Sequence, residues 1–281
     1  SWVSRESGMR GKLLLFGDHA VIYNRPCLVM AINRFVTVTP IEPIGRESIF
    51  VAATRSLFEQ KYGPAKQGFK IAGFSSRYGL GSSAAVTVAV AKALFRLKEI
   101  KISKIELFDF CYRVVRKVQG VASGFDVAAS IYGGVVYFVT GGKVIECLDI
   151  KELPLVVGYS GVKADTGVMI RQAAGKIDAK FLEQSTKIVN QARVALERKN
   201  WPQLGQLMNQ NQEILRQLEV STPKLEQMIA AALTAGAYGA KLSGAGGGDC
   251  MIALVSPARR IAVKRAIKRA GGAIIRVRLA L

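Results

Sequence analysis

The chain holds a single histidine, His19, and only four cysteines, Cys27, Cys111, Cys147 and Cys250, which lie far apart and form no C-x-x-C pair. That scarcity excludes a histidine-rich metal centre and a zinc ribbon and argues against a disulfide framework, so reduced, buried thiols are expected. Carboxylates are also scarce: 20 Asp and Glu stand against 40 Lys and Arg, a net charge of +20. No apolar run approaches the roughly 20 residues that a membrane span requires. The opening SWVSRESGMRGK lacks the apolar core and small-residue cleavage site of a secretory signal. A cytoplasmic protein with no membrane partner is expected.

A strongly basic chain attracts polyanions, from nucleic acid to small phosphorylated molecules, and charge alone does not separate them. The one local concentration is Arg259, Arg260, Lys264, Arg265, Lys268 and Arg269. Its spacing places most of these on one helical face, with Val263, Ile267 and Ala270 on another, and no aromatic residue interleaves it as single-strand binding would favour. It reads as the solvated face of an amphipathic helix, and a nucleic-acid partner is not expected.

At 281 residues the chain is long enough for two domains. Strand-like runs occur at KLLLF, CLVMAINRFVTVTPI and GVVYFV, with a turn at Asn24, Arg25 and Pro26. Between the last two runs lie a helix opening at Ser82 and another from about Ser103 to Val118. A second composition begins near Leu153: LPLVVGYSG reads as a buried strand. Helical segments follow at about 178–199, 203–219 and 223–235, the last with Thr222 as N-cap and Pro223 at its first position. Two short strands then flank GAGGGDC, a helix opens at Ser256 and Pro257, and AIIRVRL closes the chain as a strand. The expectation is an α+β protein of two domains, 1–152 and 153–281.

The stretch RYGLGSSAAV, residues 77–86, runs from two glycines into an unbroken apolar helix. Gly79 and Gly81 let backbone amides approach an anion, and the helix start adds unpaired N–H groups and the positive end of its dipole. This reads as a phosphate cradle, although neither a Walker loop nor a dinucleotide fingerprint is present. A second cluster, KLSGAGGGDC at 241–250, has more glycine than a hairpin needs, as expected of a loop packed closely against bulk. Lys12, Asp18 and His19 sit around the first strand and its exit. In SGFDVAASIYGG, Asp126 opens an apolar helical turn: it is either an N-cap or a carboxylate that orients and deprotonates an acceptor hydroxyl, kept ionised by a nearby lysine.

Taken together, GKLLLFGDHAV, GLGSSAA, SGFD and GAGGG resemble, in order and spacing, the motifs of the GHMP kinases, named for galactose, homoserine, mevalonate and phosphomevalonate kinases. The resemblance covers nearly the whole chain. It implies an N-terminal domain like domain 2 of ribosomal protein S5, a ferredoxin-like C-terminal domain and ATP phosphates held between them. Within the family, GDHAVIYNRP and VGYSGVKADT look most like mevalonate kinases. The resemblance then implies Lys12 and Asp126 as the catalytic pair, His19, Asp18, Thr166 and Gly246 toward mevalonate, Ser83 on Mg2+, and the ATP triphosphate on Gly79, Leu80, Gly81, Ser82, Ser83 and Ala84.

Two departures stand out. Val115 occupies the position, eleven residues before Asp126, where mevalonate kinases carry a metal-binding glutamate, and no acidic residue lies between Asp109 and Asp126. RYGLGSSAAV, SGFDVAA and GAGGGDC look more like phosphomevalonate kinases. A second acceptor, phosphomevalonate or another small alcohol, therefore stays open beside mevalonate. A non-catalytic nucleic-acid-binding protein on the same fold is the distant alternative. A homodimer also stays open.

Overall fold

The computed structural model describes residues 8–43 and 45–281. The N-terminal sheet is antiparallel, in the order β1 (Met9–Phe16), β2 (Pro26–Ile41), β4 (Val135–Val139), β5 (Val144–Leu148). Its sixteen-residue strand β2 pairs β1 and β4 with its first part, and its last five residues, Thr37–Ile41, pair β3 (Gly68–Ala72). Helices α1 (Ile49–Tyr62), α2 (Ser82–Leu97), α3 (Lys104–Gln119) and α4 (Phe125–Tyr132) pack on one face. The C-terminal sheet, also antiparallel, runs β7 (Gly239–Ser243), β8 (Cys250–Leu254), β6 (Leu155–Tyr159), β9 (Ala273–Ile275), with α5 (Thr166–Ala174), α6 (Ala179–Glu197), α7 (Trp201–Gln217), α8 (Pro223–Thr234) and α9 (Arg260–Arg269). This is the α+β architecture the sequence led us to expect.

The apolar run KLLLF reflects where β1 lies. Side chains alternate along a strand, and here Leu14 faces the core formed with α1 to α4 while Leu13 and Leu15 face the core shared with the C-terminal half. β2 does the same, with Cys27, Val29 and Ala31 on one side and Leu28, Met30 and Ile32 on the other. A strand buried on both faces has no polar alternation to show. Helix α6 packs against the C-terminal side of β1 and β2, closing that second interface.

Two expectations need correction, and one further segment gains its elements. The closing strand is three residues, not seven: past Ile275 the chain leaves β6 and turns to the N-terminal sheet, where Leu279 bridges Ile32 and Asn33 bonds Arg278. Cys27, Cys111 and Cys250 are buried, but Cys147 is exposed on the edge strand β5. The segment between β2 and the glycine loop, which shows no clear periodicity in the sequence, forms α1 and β3. As anticipated, α9 buries Val263 and Ile267 and turns its basic residues outward. No helix among the described residues is long and apolar enough to cross a membrane.

Candidate active site

Strand β1 delivers Lys12 beneath the loop that opens α2. Its backbone N–H donates to the Leu80 carbonyl at 2.8 Å and its Nζ donates to the Gly79 carbonyl at 3.0 Å, so strand and loop fix each other. Helix α2 starts from Gly81, left-handed at φ 79°, and no side chain caps it. The first-turn amides of Ser82, Ser83 and Ala84 therefore remain the orphan donors that any helix start presents. The Ser83 hydroxyl has no protein hydrogen-bond partner among the described residues, while its carbonyl accepts from Thr87 Oγ1 at 2.9 Å.

Helix α4 begins in the same manner, from Gly124 at φ 94° without a side-chain cap, and carries Asp126 in its first turn. Asp126 Oδ1 accepts the Val127 N–H at 3.0 Å, a bond to its immediate neighbour rather than the usual N-cap bond. Two uncapped helix starts thus flank one lysine, whose Nζ lies 5.4 Å from the centre of the Phe125 ring. Lys12 and Asp126 interact through their charges without an ion-pair contact between them. Burial lowers the Lys12 pKa, opposed first by Asp126 and then by Asp249, and burial raises the Asp126 pKa, opposed by Lys12. Both groups are therefore shifted toward neutrality, which is how enclosed sites bring acids and bases within range of one another.

The second glycine loop closes over this arrangement. A Cβ on Gly79 would run into the Asp249 carboxylate, so the two loops are in van der Waals contact there. Asp249 Oδ1 accepts the Ala164 N–H at 3.0 Å and pairs with Lys163 Nζ at 3.3 Å, joining the 160–166 segment to the first glycine loop. Cys250 Sγ lies 3.3 Å from the Tyr78 carbonyl, with the thiol pKa pushed up by burial to about 12.

The other residues singled out in the sequence fall as follows. Asp18 is fully buried and committed: Oδ1 receives Lys241 Nζ at 2.8 Å and Oδ2 receives the Gly244 N–H at 2.7 Å. His19, left-handed at φ 64° and buried, bonds the Ala245 carbonyl through Nε2 at 2.7 Å, and burial lowers its pKa. Gly246, at φ 81°, lies so close to the Val220 carbonyl that any Cβ would collide with it. Thr166 is exposed at the first residue of α5, and its hydroxyl has no hydrogen-bond partner among the described residues. Val115 is buried in the core of α1 to α4, so that position of α3 offers no ligand to a cation. No group of three or more potential metal-ligating side chains occurs among the described residues.

Lys163, Lys241 and Asp249 were not identified from the sequence. The available signal was a charged residue closing a glycine cluster, GAGGGD, and a lysine in the middle of a short strand, GAKLS, between small and apolar neighbours.

Residues 48–134 match the GHMP kinases N terminal domain and residues 192–273 the GHMP kinases C terminal region. A mevalonate kinase of Pyrococcus abyssi is 34% identical over 308 aligned positions, covering 93% of this chain and 91% of that protein. Among solved structures, L. major mevalonate kinase in complex with R-mevalonate superposes with a TM-score of 0.82 at 27% identity, covering 97% of this chain and 95% of that one. Streptococcus pneumoniae phosphomevalonate kinase, in complex with phosphomevalonate and AMPPNP, shares the fold at a TM-score of 0.86 and 22% identity, over 97% and 99% of the two chains. The chain is a member of the GHMP kinase family.

Proposed function

We propose that this protein phosphorylates the 5-hydroxyl of mevalonate from ATP, with residues 1–152 supplying the catalytic groups and 153–281 closing over them. The observation that carries the transfer chemistry is Lys12, half-buried between two uncapped helix starts and drawn by the charge of Asp126. The acceptor rests on the 34% identity to an archaeal mevalonate kinase across nearly the full length of both proteins.

In this reading the triphosphate of ATP lies on the amides of Gly79 to Ala84, where the α2 dipole and the Lys12 ammonium favour negative charge. Asp126, ionised, accepts the proton of the acceptor hydroxyl. The acceptor oxygen forms its bond to the γ-phosphorus as the bridging bond to the β-phosphate breaks and ADP leaves with the electron pair. Lys12 offsets charge on the transferring group. Positioning and electrostatics supply most of the catalysis in such a transfer. His19, Asp18, Thr166 and Gly246 form the acceptor side. Asp18 and Gly246 act there by holding the second glycine loop, while His19 and Thr166 face the acceptor itself.

The donor set suits a cation that arrives with the nucleotide. With Val115 in the core, the Ser83 hydroxyl is the one protein side chain that would hold Mg2+, a cation whose reluctance to dehydrate lets it bind through few protein ligands. When bound, Mg2+ neutralises phosphate charge.

A second reading, phosphomevalonate as acceptor, draws on Lys163, which stands beside Asp249 at the same mouth and offers a cation to a phosphorylated acceptor. Coupled ADP-release assays with mevalonate and with 5-phosphomevalonate, run side by side, decide between them. Turnover on mevalonate with little on 5-phosphomevalonate is expected; the reverse preference would replace the proposal with the second reading.

A further inference from the structure

A second cavity, of about 500 Å³, opens on the N-terminal half at the C-terminal end of α2, the start of α3 and the far end of α4. Its floor is apolar: Met9, Phe95, Leu107 and Ile131 are all buried there. Its rim is cationic. Lys92 and Arg96 lie one turn apart on α2, and Lys101 and Lys104 come from the loop into α3 and its first residue, with Glu99 the single carboxylate among them. None of these four cations has an ion-pair partner among the described residues. Burial and then the charges of Arg96, Arg10 and Lys104 lower the Lys92 pKa, so the group repels itself in the absence of an anion. The volume lies within the range of small-molecule sites, and the pairing of apolar floor with a few converging charges is what such sites present.

We propose that this cavity is a second ligand site, which takes a small amphiphilic phosphate: the phosphate between Lys92, Arg96, Lys101 and Lys104, the carbon chain on Phe95, Leu107 and Ile131. Like-charged groups left unpaired around an apolar hollow gain from an anion and from covering the hollow at once, and a ligand with only one of these parts gains half. The location bears on function. β1 has Met9 in this cavity and Lys12 in the active site. α2 has Lys92 and Arg96 here and the phosphate cradle at its other end, and α4 has Ile131 here and Asp126 in its first turn. The three elements that carry the proposed chemistry all end in this second site.

The test is isothermal titration of the full chain with n-hexyl phosphate in the presence of a saturating, non-hydrolysable ATP analogue, and it reads binding rather than turnover. We expect saturable 1:1 binding about tenfold tighter than inorganic phosphate, weakened about tenfold by Lys92→Gln with Arg96→Gln. The same loss of charge on α9, Lys264→Gln with Lys268→Gln, should change it by less than about twofold. Lys92, Arg96 and Lys268 are exposed and Lys264 is half-buried, and matching melting temperatures would exclude misfolding. Four results would overturn the proposal: abolition of binding by the ATP analogue, equal loss in the α9 variant, equal affinity for inorganic phosphate, or no saturable binding of hexyl phosphate. If the last were accompanied by co-sedimentation with phosphatidylglycerol vesicles that depends on Lys92 and Arg96, the cationic rim would be a lipid-surface contact instead.

Discussion

The Asp249 carboxylate fills the space that a side chain on Gly79 would occupy, and through this contact the second glycine loop shapes the first. Asp249 also holds Ala164 and Lys163. A single carboxylate thus joins the 77–86 loop to the 160–166 segment.

Gly79→Ala should therefore raise the KM for ATP by about tenfold or more, since the new methyl collides with Asp249 and the left-handed backbone at φ 71° disfavours it. Adding Asp249→Ala removes the collision but not the backbone strain. Steady-state kinetics of the double variant should show partial recovery of the KM; no recovery would mean that strain alone accounts for the loss.

Lys12→Met and Asp126→Asn should each lower kcat by about a hundredfold or more with the fold retained. The two shifts also bound the pH profile. Burial raises the Asp126 pKa, so the acid limb of kcat/KM should lie above the ordinary carboxylate range, and burial lowers the Lys12 pKa, so the alkaline limb should lie below the ordinary lysine range. A carboxyl whose pKa is higher in the folded state binds more protons there, so its contribution to stability falls as pH rises through its unfolded and then its folded pKa. Asp126→Asn should accordingly melt no lower than wild type at pH 8, as expected for a residue kept for function.

The Asp18–Lys241 pair, 2.8 Å apart and wholly out of contact with solvent, ties the exit of β1 to β7. Removing one partner leaves the other charge buried alone, so Lys241→Met should cost about 3–5 kcal/mol in urea unfolding. Combining it with Asp18→Asn should recover much of that. A double-mutant cycle without coupling would show that the pair does not act as a unit.

His19 titrates with the opposite sense to a paired histidine. Its folded pKa lies below the ordinary value because of burial, so its stability contribution is complete above the unfolded pKa and declines as pH falls through that value toward the folded one. Stability measured from pH 7.5 down to about 5.5 should fall in the wild type, and the slope should be smaller in His19→Gln.

Much of this molecule could be read in advance. The glycine loop and its helix, the capped start of α8 at Thr222, the amphipathic α9 and the strands around GAGGGDC follow from local chemistry: turn residues, caps and apolar period. α1 and β3 were missed because their apolar residues recur weakly and β3 exposes three of its five residues. The end of β9 was overextended because RVRL alternates like a strand, although its last residue bridges a different sheet. Asp249, Lys163 and Lys241 were illegible for another reason. Their partners lie 86 and 223 positions away, and ion pairing over such separations leaves no periodic mark.

Because β1 and β2 give alternate side chains to opposite cores, the two halves of this enzyme are not separable goods. Cutting the polypeptide between β5 and β6 would strip the cover from Leu13, Leu15, Leu28, Met30 and Ile32, a contiguous greasy plane on the remaining fragment. Expressed alone, residues 1–152 should precipitate or bind chaperones, and the intact chain should melt in one transition rather than two. Evolution of such a protein by swapping its C-terminal half would have to preserve that plane's complement before it could alter the acceptor.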